Sequence, residues 1–559
     1  MIYQRFSIPR FLMPAYSLIV VSALLVGSIS LCPAQEPPPA EGGEAPAAAQ
    51  FQVMVIAVEY VENAENRATV RATVNRQMGY INEVVRGTRP LSGNEANLER
   101  WFGNYIFPRM TQLETLGQLD MMRVDFFKRY LLNVQYTTAN NNVDTHAFLV
   151  NYTLQKMQEI VEGNYHPAVR FNAMLVIGRL NDVEMYNPNT GARIVPVPSR
   201  QALGFMVGQL QKPDQMDALQ LGAWIGILRH TTLDRYHPPQ VQIPQQGKTI
   251  IRGLATQLIQ LRDPPPGRSS EGHVWLQRRG IDVLAMLGTD PDAQVLSTIG
   301  AFTVDEDSPM SLRLTAARSL SGFQYDAQTT IAAVPAAYAL GALAAQACRN
   351  EIARVEESKK KKNKAQDSGG GAMDMAGGGA GGMESMMAGG GGMEDMSGMF
   401  GGGSGGGAAT EDQLKPEEAT SVQYTRRRLK YQLFYVQQGL GTGGESSSGL
   451  MMAADAAGQT EVQKVVDAVD EIMKVLAEPE LTPKKVGDKK PRKPIETVKL
   501  DDVLKEVRKK TRDLEALVVK TRKPVLPGAD PAADAPGADA AGADAPGADA
   551  PGADAPGGN

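Results

Sequence analysis

A helix pattern that recurs four times constrains the fold of this chain more than any other feature. It reads HPAVRFNAMLVIGRL at 166–180, MDALQLGAWIGIL at 216–228, VWLQRRGIDVLAML at 274–287 and SPMSLRLTAARSL at 308–320. Each copy carries Arg or Gln, then a small residue three positions on, then an aliphatic residue four beyond that. The triples are Arg170/Ala173/Ile177, Gln220/Ala223/Ile227, Gln277/Gly280/Leu284 and Arg313/Ala316/Leu320. Positions i, i+3 and i+7 share one helix face, so every copy offers the same seam to a neighbour. The small residue admits a second helix closely and the aliphatic one fills the space beside it. Repetition of such a unit predicts a stacked helical array.

The repeat region is expected over 164–362, its core being the four copies followed by a long Ala-rich helix from Thr329 to Lys362. Pro167 and Pro309 occupy first-turn positions, where a missing N–H costs nothing, and Ser308 is placed to cap the helix after it. The anchors at 170, 220, 277 and 313 are unevenly spaced, so inserted loops are required. YNPNTGARIVPVPS (186–199), YHPPQVQIPQQG (236–247) and DPPPGRSSEG (263–272) supply them. Loops on one face of such an array are frequent binding surfaces.

The Pro-x-x-Arg-x-x-Ala pattern with an apolar i+7 position, clearest in HPAVRFNAMLVIGRLND, resembles the HEAT-repeat family of armadillo-like α-solenoids. The similarity covers the four copies, and two of these carry Gln for Arg and lack the Pro. It implies an all-α, HEAT-like solenoid whose concave face or loops bind another macromolecule, and it is nearly silent on chemistry.

Around this block the chain divides by composition. Residues 1–34 read as an export signal: Arg5 and Arg10 precede an uncharged run from Ala15 to Leu31, with a cleavage site expected at Ala34–Gln35. Residues 35–50 form a Pro/Ala spacer. An N-terminal helical region spans 51–163, where Phe51–Val61 is apolar but undecided between strand and helix. One helix in it is expected to stop at Pro108 and another to run unbroken from Thr111 to Asn133. Residues 363–410 are a Gly/Met-rich linker expected to be disordered, since 19 of the 39 residues from 369 to 407 are Gly. A helical region over 411–478 should return to pack on the Ala-rich helix, its second helix opening on a Thr460/Gln463 capping box. A basic Pro-rich linker (479–499), an amphipathic helix (500–523) and a disordered GADAP-repeat tail (524–559) complete the chain.

Candidate chemistry is sparse. Met373 to Met399 form MDM, MESMM and MEDMSGM clusters whose thioethers suit soft Cu(I), so a copper-sequestering protein is the alternative function. Gly247-Lys248-Thr249 lacks the P-loop's earlier glycine, because Gln242 stands there. The five histidines, His146, His166, His230, His237 and His273, form no metal-binding motif, and GESSSG at 444–449 misses GxSxG by register. No catalytic, cofactor or metal residue is therefore assigned. A hydrolase on a helical scaffold, the third reading, lacks a visible acid/base pair. Cys348, the single thiol left after signal cleavage, is expected to be a buried core residue. Residues 484–523 hold 15 Lys/Arg against 7 Asp/Glu and the tail holds six Asp, which suggests attraction between the two or to an envelope surface. The sequence thus predicts an exported, periplasmic or envelope-associated scaffold with protein partners, and no nucleic acid or small-molecule substrate.

Overall fold

The computed structural model describes residues 50–132, 143–185, 193–289, 294–326, 329–367, 420–441, 448–477 and 499–519. The export-signal, Gly/Met-linker, basic-linker and GADAP expectations lie on 1–34, 363–410, 479–499 and 524–559, and all of these fall outside the described residues except 499 and 363–367, the latter being helical where a linker was expected. Within them the chain is all-α apart from one two-stranded sheet.

The N-terminal region holds α1 (Arg67–Val85), α2 (Glu95–Trp101), α3 (Phe107–Thr111), α4 (Leu119–Phe126) and α5 (Val143–Glu162). Phe51–Val61 is mostly extended. Gln52 bridges Tyr165 in parallel, Met54 N–H donates to Thr111 Oγ1 at 2.9 Å, and Ala57 N–H donates to the Asn104 carbonyl at 3.0 Å. Two expectations are corrected here. The helix does not stop at Pro108: a wide π turn over Phe102–Ile106 lets Phe107 N–H bond back to Phe102 O, and Pro108 then opens α3, where its absent N–H is harmless. Nor is 111–133 one helix, for a 3₁₀ segment (Leu113–Gln118), α4 and a second π turn (Phe127–Leu131) share it. The kinks gather Trp101, Phe102, Phe107, Phe126, Phe127 and Tyr130 into one buried aromatic cluster.

Then come α6 (Pro167–Arg179), β1 (Asn181–Val183), β2 (Val197–Pro198), α7 (Arg200–Leu210), α8 (Asp217–Asp234), α9 (Gln245–Gln260), α10 (Ser270–Leu287), α11 (Gln294–Val304) and α12 (Met310–Ser319). The four recurring segments are α6, α8, α10 and α12, and each packs on the next. The helices between them, α7, α9 and α11, each pack on the copy that follows. The seam residues are interior: Ala173, Ala223 and Ala316 are at most 2% exposed, Ile177, Ile227, Leu284 and Leu320 at most 1%, and Gly280 is buried. A side chain at Gly280 would run into Ile259 and Leu258 of α9, so the small residue is what lets α10 approach α9. Between copies the closest approach is at Gly178 and Gly226, where a Cβ on Gly226 would lie 2.8 Å from Gly178 Cα.

The polar member of each triple has a defined task. A helix end leaves carbonyls without intrahelical partners. Arg170 Nε donates to Val161 O of α5 at 2.8 Å, Gln277 Nε2 to Leu261 O after α9 at 2.9 Å, and Arg313 Nη2 to Thr303 O of α11 at 3.1 Å. Gln220 Nε2 reaches the Gln215 carbonyl in the turn before its own helix at 2.9 Å. Each anchor therefore closes the turn between two antiparallel helices. Gln serves where Arg is absent because a single donor suffices.

The chain continues through α13 (Ala333–Asp367), α14 (Thr420–Leu440), α15 (Gly449–Ala453), α16 (Ala456–Val475) and α17 (Leu500–Val519). As expected, α14 packs back on α13, and it also extends the inner row by packing on α12. The Ala-rich half of α13 is core, with Ala337, Leu340, Leu343, Ala344 and Cys348 unexposed. Among the described residues no helix is long and apolar enough to cross a membrane. α17 lies antiparallel to α13: Val503, Leu504, Val507 and Leu514 are buried while Arg349–Glu515, Glu356–Arg508 and Lys359–Asp501 pair along the seam. Its five bases are matched by five acids, so the surplus positive charge of 484–523 lies in the flanking segments.

Two capping expectations are also revised. Ser308 does not cap α12. Its hydroxyl donates to Asp305 Oδ2 at 2.9 Å, and Pro309 sits at the cap. α16 begins before Thr460, capped by Asp455, which accepts from Gly458 N–H at 2.7 Å. Asp outcompetes the later Thr because the apolar seam already starts at Gly458 and Val462.

Candidate functional site

The most distinctive surface lies across α10, α12 and α14. On α10, Trp275, Arg278, Arg279 and Asp282 follow i, i+3, i+4, i+7 spacing and share a face. Arg278 lies over the Trp275 ring, 5.1 Å from its centroid, and its Nε donates to Thr315 Oγ1 of α12 at 3.0 Å. Arg279 Nη1 donates to Asp282 Oδ2 at 3.0 Å, and the same buried carboxylate also holds Arg318 of α12. Arg318 in turn donates to the Tyr435 hydroxyl of α14 at 3.0 Å and covers its ring at 4.5 Å. Tyr435 and Tyr431 bond hydroxyl to hydroxyl. Arg427, Tyr431 and Phe434 form the outward face of α14, with Phe434 48% exposed.

The electrostatics follow from that geometry. Arg278, Arg279 and Arg318 gather around the carboxylate of Asp282, and Arg427 stands one turn before Tyr431 on the outward face of α14. Burial pushes the Arg278 guanidinium below its ordinary range, and neighbouring Arg279 lowers it further. Burial also disfavours the charge on Arg318, but Asp282 together with Tyr435 and Tyr431 outweighs it and the net shift is upward. Burial raises the Tyr435 hydroxyl, keeping it a neutral hydrogen-bonding group. Trp, Tyr and Arg in a partly desolvated patch are the residue types that dominate protein-binding energetics, and each Arg–aromatic stack contributes about 0.5–2 kcal/mol.

A second polar cluster is interior. Arg229 Nη2 donates to Asn181 Oδ1 at 2.6 Å, Asn181 Nδ2 to Glu184 Oε2 at 2.6 Å, and His146 Nε2 lies 3.5 Å from Glu184 Oε1. Arg123 pairs with Asp120 and donates to Asn172 Oδ1 at 2.8 Å. Burial pulls the Arg229 guanidinium down to about 10 and the adjacent His230 imidazole to about 3. The first set ties α8 to α5 through Asn181 and Glu184, and the second ties α4 to α6. Two open clefts, of 430 and 270 Å³, lie at Met451–Asp467 and between Glu162 and Gln215. In the second, Lys212 and then Gln209 hold Glu162, whose carboxyl falls below the usual range.

The other residues singled out in the sequence are dispersed. Gly247, Lys248 and Thr249 lie in the first turns of α9, and Lys248 pairs with Asp234 at 2.8 Å. His166 caps α6 by accepting from Ala168 N–H, His273 Nε2 contacts Leu261 O at 2.6 Å, and His237 Nε2 contacts Pro196 O at 3.0 Å. Among the described residues no group of three or more His, Cys, Asp or Glu is arranged to hold a metal ion. The Met373–Met399 clusters and residues 444–447 of GESSSG lie outside the described residues. The inserted loops are partly spent on the fold itself. Arg200 donates to Gln240 O at 3.2 Å, and Arg268 pairs with Asp217 at 2.8 Å while donating to Gln220 at 3.1 Å. Of RRRLK, Arg426 is buried and donates to Ala477 O at 2.7 Å, Arg428 pairs with Glu351 at 3.2 Å, and Arg427 faces outward.

Sequence reasoning missed the α10–α14 surface because its parts are about 160 residues apart. The available signal was the paired i, i+3, i+4 spacing of Trp275/Arg278/Arg279 and Tyr431/Phe434/Tyr435, aromatic and basic residues on faces that the seam leaves outside. Comparison with family models, curated proteins and solved structures finds no match.

Proposed function

We propose that this chain is a non-enzymatic scaffold, a HEAT-like solenoid that binds a protein partner on the face formed by α10, α12 and α14. Export to the periplasm or cell envelope belongs to the same reading, which rests on the basic, apolar, small-residue order of residues 1–34. The observation that carries the proposal is the convergence of Trp275, Arg278, Arg318, Tyr431 and Phe434 on one partly exposed patch. A rigid stack holds those side chains in fixed positions, so a partner meets a surface already organised and loses little to ordering it.

The test is crosslinking capture from envelope extract with the full chain, with Trp275→Ala and with Phe434→Ala. Loss of the same captured partner from both variants supports the scaffold reading. Capture that is identical in all three, or that a 369–407 peptide reproduces alone, contradicts it.

A further inference from the structure

The α10–α14 surface carries more guanidinium groups (Arg278, Arg279, Arg318, Arg427) than carboxylates (Asp282, Glu271), and the last part of the chain carries the complement. From Gly528 to Pro556 the sequence contains Asp530, Asp534, Asp539, Asp544, Asp549 and Asp554 and no Lys, Arg or His. We infer that this acidic C-terminal segment seats on the α10–α14 face of its own chain, covering Trp275, Arg278, Arg318 and Arg427 until a partner displaces it. The inference deepens the scaffold reading and rests on it: the displacing partner must itself present a carboxylate-rich, extended segment.

Three observations carry it. The first is charge. Asp282 is already shared by Arg279 and Arg318, and Glu271 is the further acid on the α10 stripe, so the guanidinium groups outnumber the carboxylates and added carboxylates meet groups that these do not saturate. Partly buried Arg–carboxylate contacts are stronger and less salt-screened than those fully in water.

The second is where the described chain ends. Val518, one residue from the end of α17, lies against Gly341 of α13. The neighbouring Leu340 lies against Gly439 of α14, and Gly439 faces the Ala317 backbone of α12, next to Arg318. The end of α17 is thus separated from the α12–α14 seam by the width of α13. That is about 20 Å, at roughly 8–10 Å per helix packing step. Asp530 lies eleven residue steps beyond Val519, and an extended chain spans about 3.3 Å per step, roughly 36 Å. The first carboxylate reaches the patch with slack, and the five that follow can replace it.

The third is composition. The segment is a Pro/Ala/Gly sequence with one carboxylate about every five residues, which sets acidic groups at regular intervals with no bulky side chain between them. Tethering raises its effective concentration to about the millimolar range. Individually weak contacts then suffice to occupy the face while still yielding to a tighter external partner.

The experiment compares the full chain, a chain ending at Lys523, and a full chain with the six tail Asp changed to Asn. The probe is a synthetic peptide of residues 528–556, followed by calorimetry at low and high salt. The truncated and all-Asn chains are expected to bind the peptide alike, and the unaltered full chain about tenfold more weakly because its own tail competes. Arg318→Glu in the truncated chain should lose binding. Arg427→Glu, at an exposed position that does not threaten folding, should weaken it about tenfold. Equal uptake by all three chains, equal binding of an all-Asn peptide, or indifference to Arg427→Glu overturns the inference. Partner capture separates the two ideas. An external partner lost on Trp275→Ala, with no peptide binding, removes the tail and keeps the scaffold. Peptide binding with no partner on the face does the reverse.

Discussion

Replacing Gly226 by Ala tests how the recurring helices meet. In most helices Gly→Ala stabilises by about 1 kcal/mol, because Ala loses less backbone freedom on folding. At Gly226 the added methyl would stand 2.8 Å from Gly178 Cα on α6 and would also press on the sulfur of Met206. Met206 can rotate away, but the backbone at Gly178 cannot move without shifting α6. Overpacking of this kind costs about 1–3 kcal/mol, and a backbone neighbour places it at the upper end. The net expectation is destabilisation of about 2 kcal/mol. For a cooperative unit of roughly 150–250 residues, that lowers Tm by about 4–8 °C. Gly204→Ala on α7 is the internal control, since its Cβ would meet nothing within 4 Å, and it should raise stability by up to about 1 kcal/mol. Calorimetry on the three proteins decides the matter. A Gly226→Ala chain that gains as much stability as Gly204→Ala would show that α6 and α8 do not cross at these glycines.

Three further outcomes follow from the packing. Arg313→Ala removes the donors to Thr303 O and Gln346 and leaves a buried carbonyl unpaired, so urea unfolding should show a loss of about 1.5–3 kcal/mol. Because burial depresses His230 to about 3 while the unfolded imidazole titrates near 6.5, the unfolded state binds the extra proton between those values. Its contribution is therefore complete above about pH 6.5 and is lost as pH falls toward 3, about 2 kcal/mol between pH 7 and 5. His230→Gln should flatten that slope in pH-dependent unfolding. Burial pushes the Cys348 thiol up to about 11, against Thr511 of α17, so a thiol reagent should label the native chain slowly. Val507→Asp, which undocks α17, should accelerate labelling at least tenfold.

The helical stack was legible because its signal is local. Each triple lies within eight residues of one helix, and burial of a small and an aliphatic residue on one face follows from the period alone. The return of α14 onto α13 was legible too, because a Gly/Met stretch between two helical segments reads as an insertion in a helical hairpin. Helix boundaries were less so. Pro108 stops an ideal helix but not one with a π turn before it, and that turn is set by the aromatic cluster around Phe102, not by the local sequence. Ser308 and Thr460 have the chemistry of caps, yet Asp305 and Asp455 determine what they do. The α10–α14 face needed tertiary information outright. Arg278, Thr315, Arg318 and Tyr435 come together only once three helices lie side by side, and no spacing in the sequence records that adjacency.

Hydrogen exchange on the full chain, read by mass spectrometry, tests the stack most directly. If α6, α8, α10 and α12 form one row, each covered by neighbours on both sides, their amides should be the slowest in the molecule and those of α7, α9 and α11 distinctly faster. Comparable, rapid exchange in all seven helices would mean that the four recurring segments do not share an interior, and the account would fail.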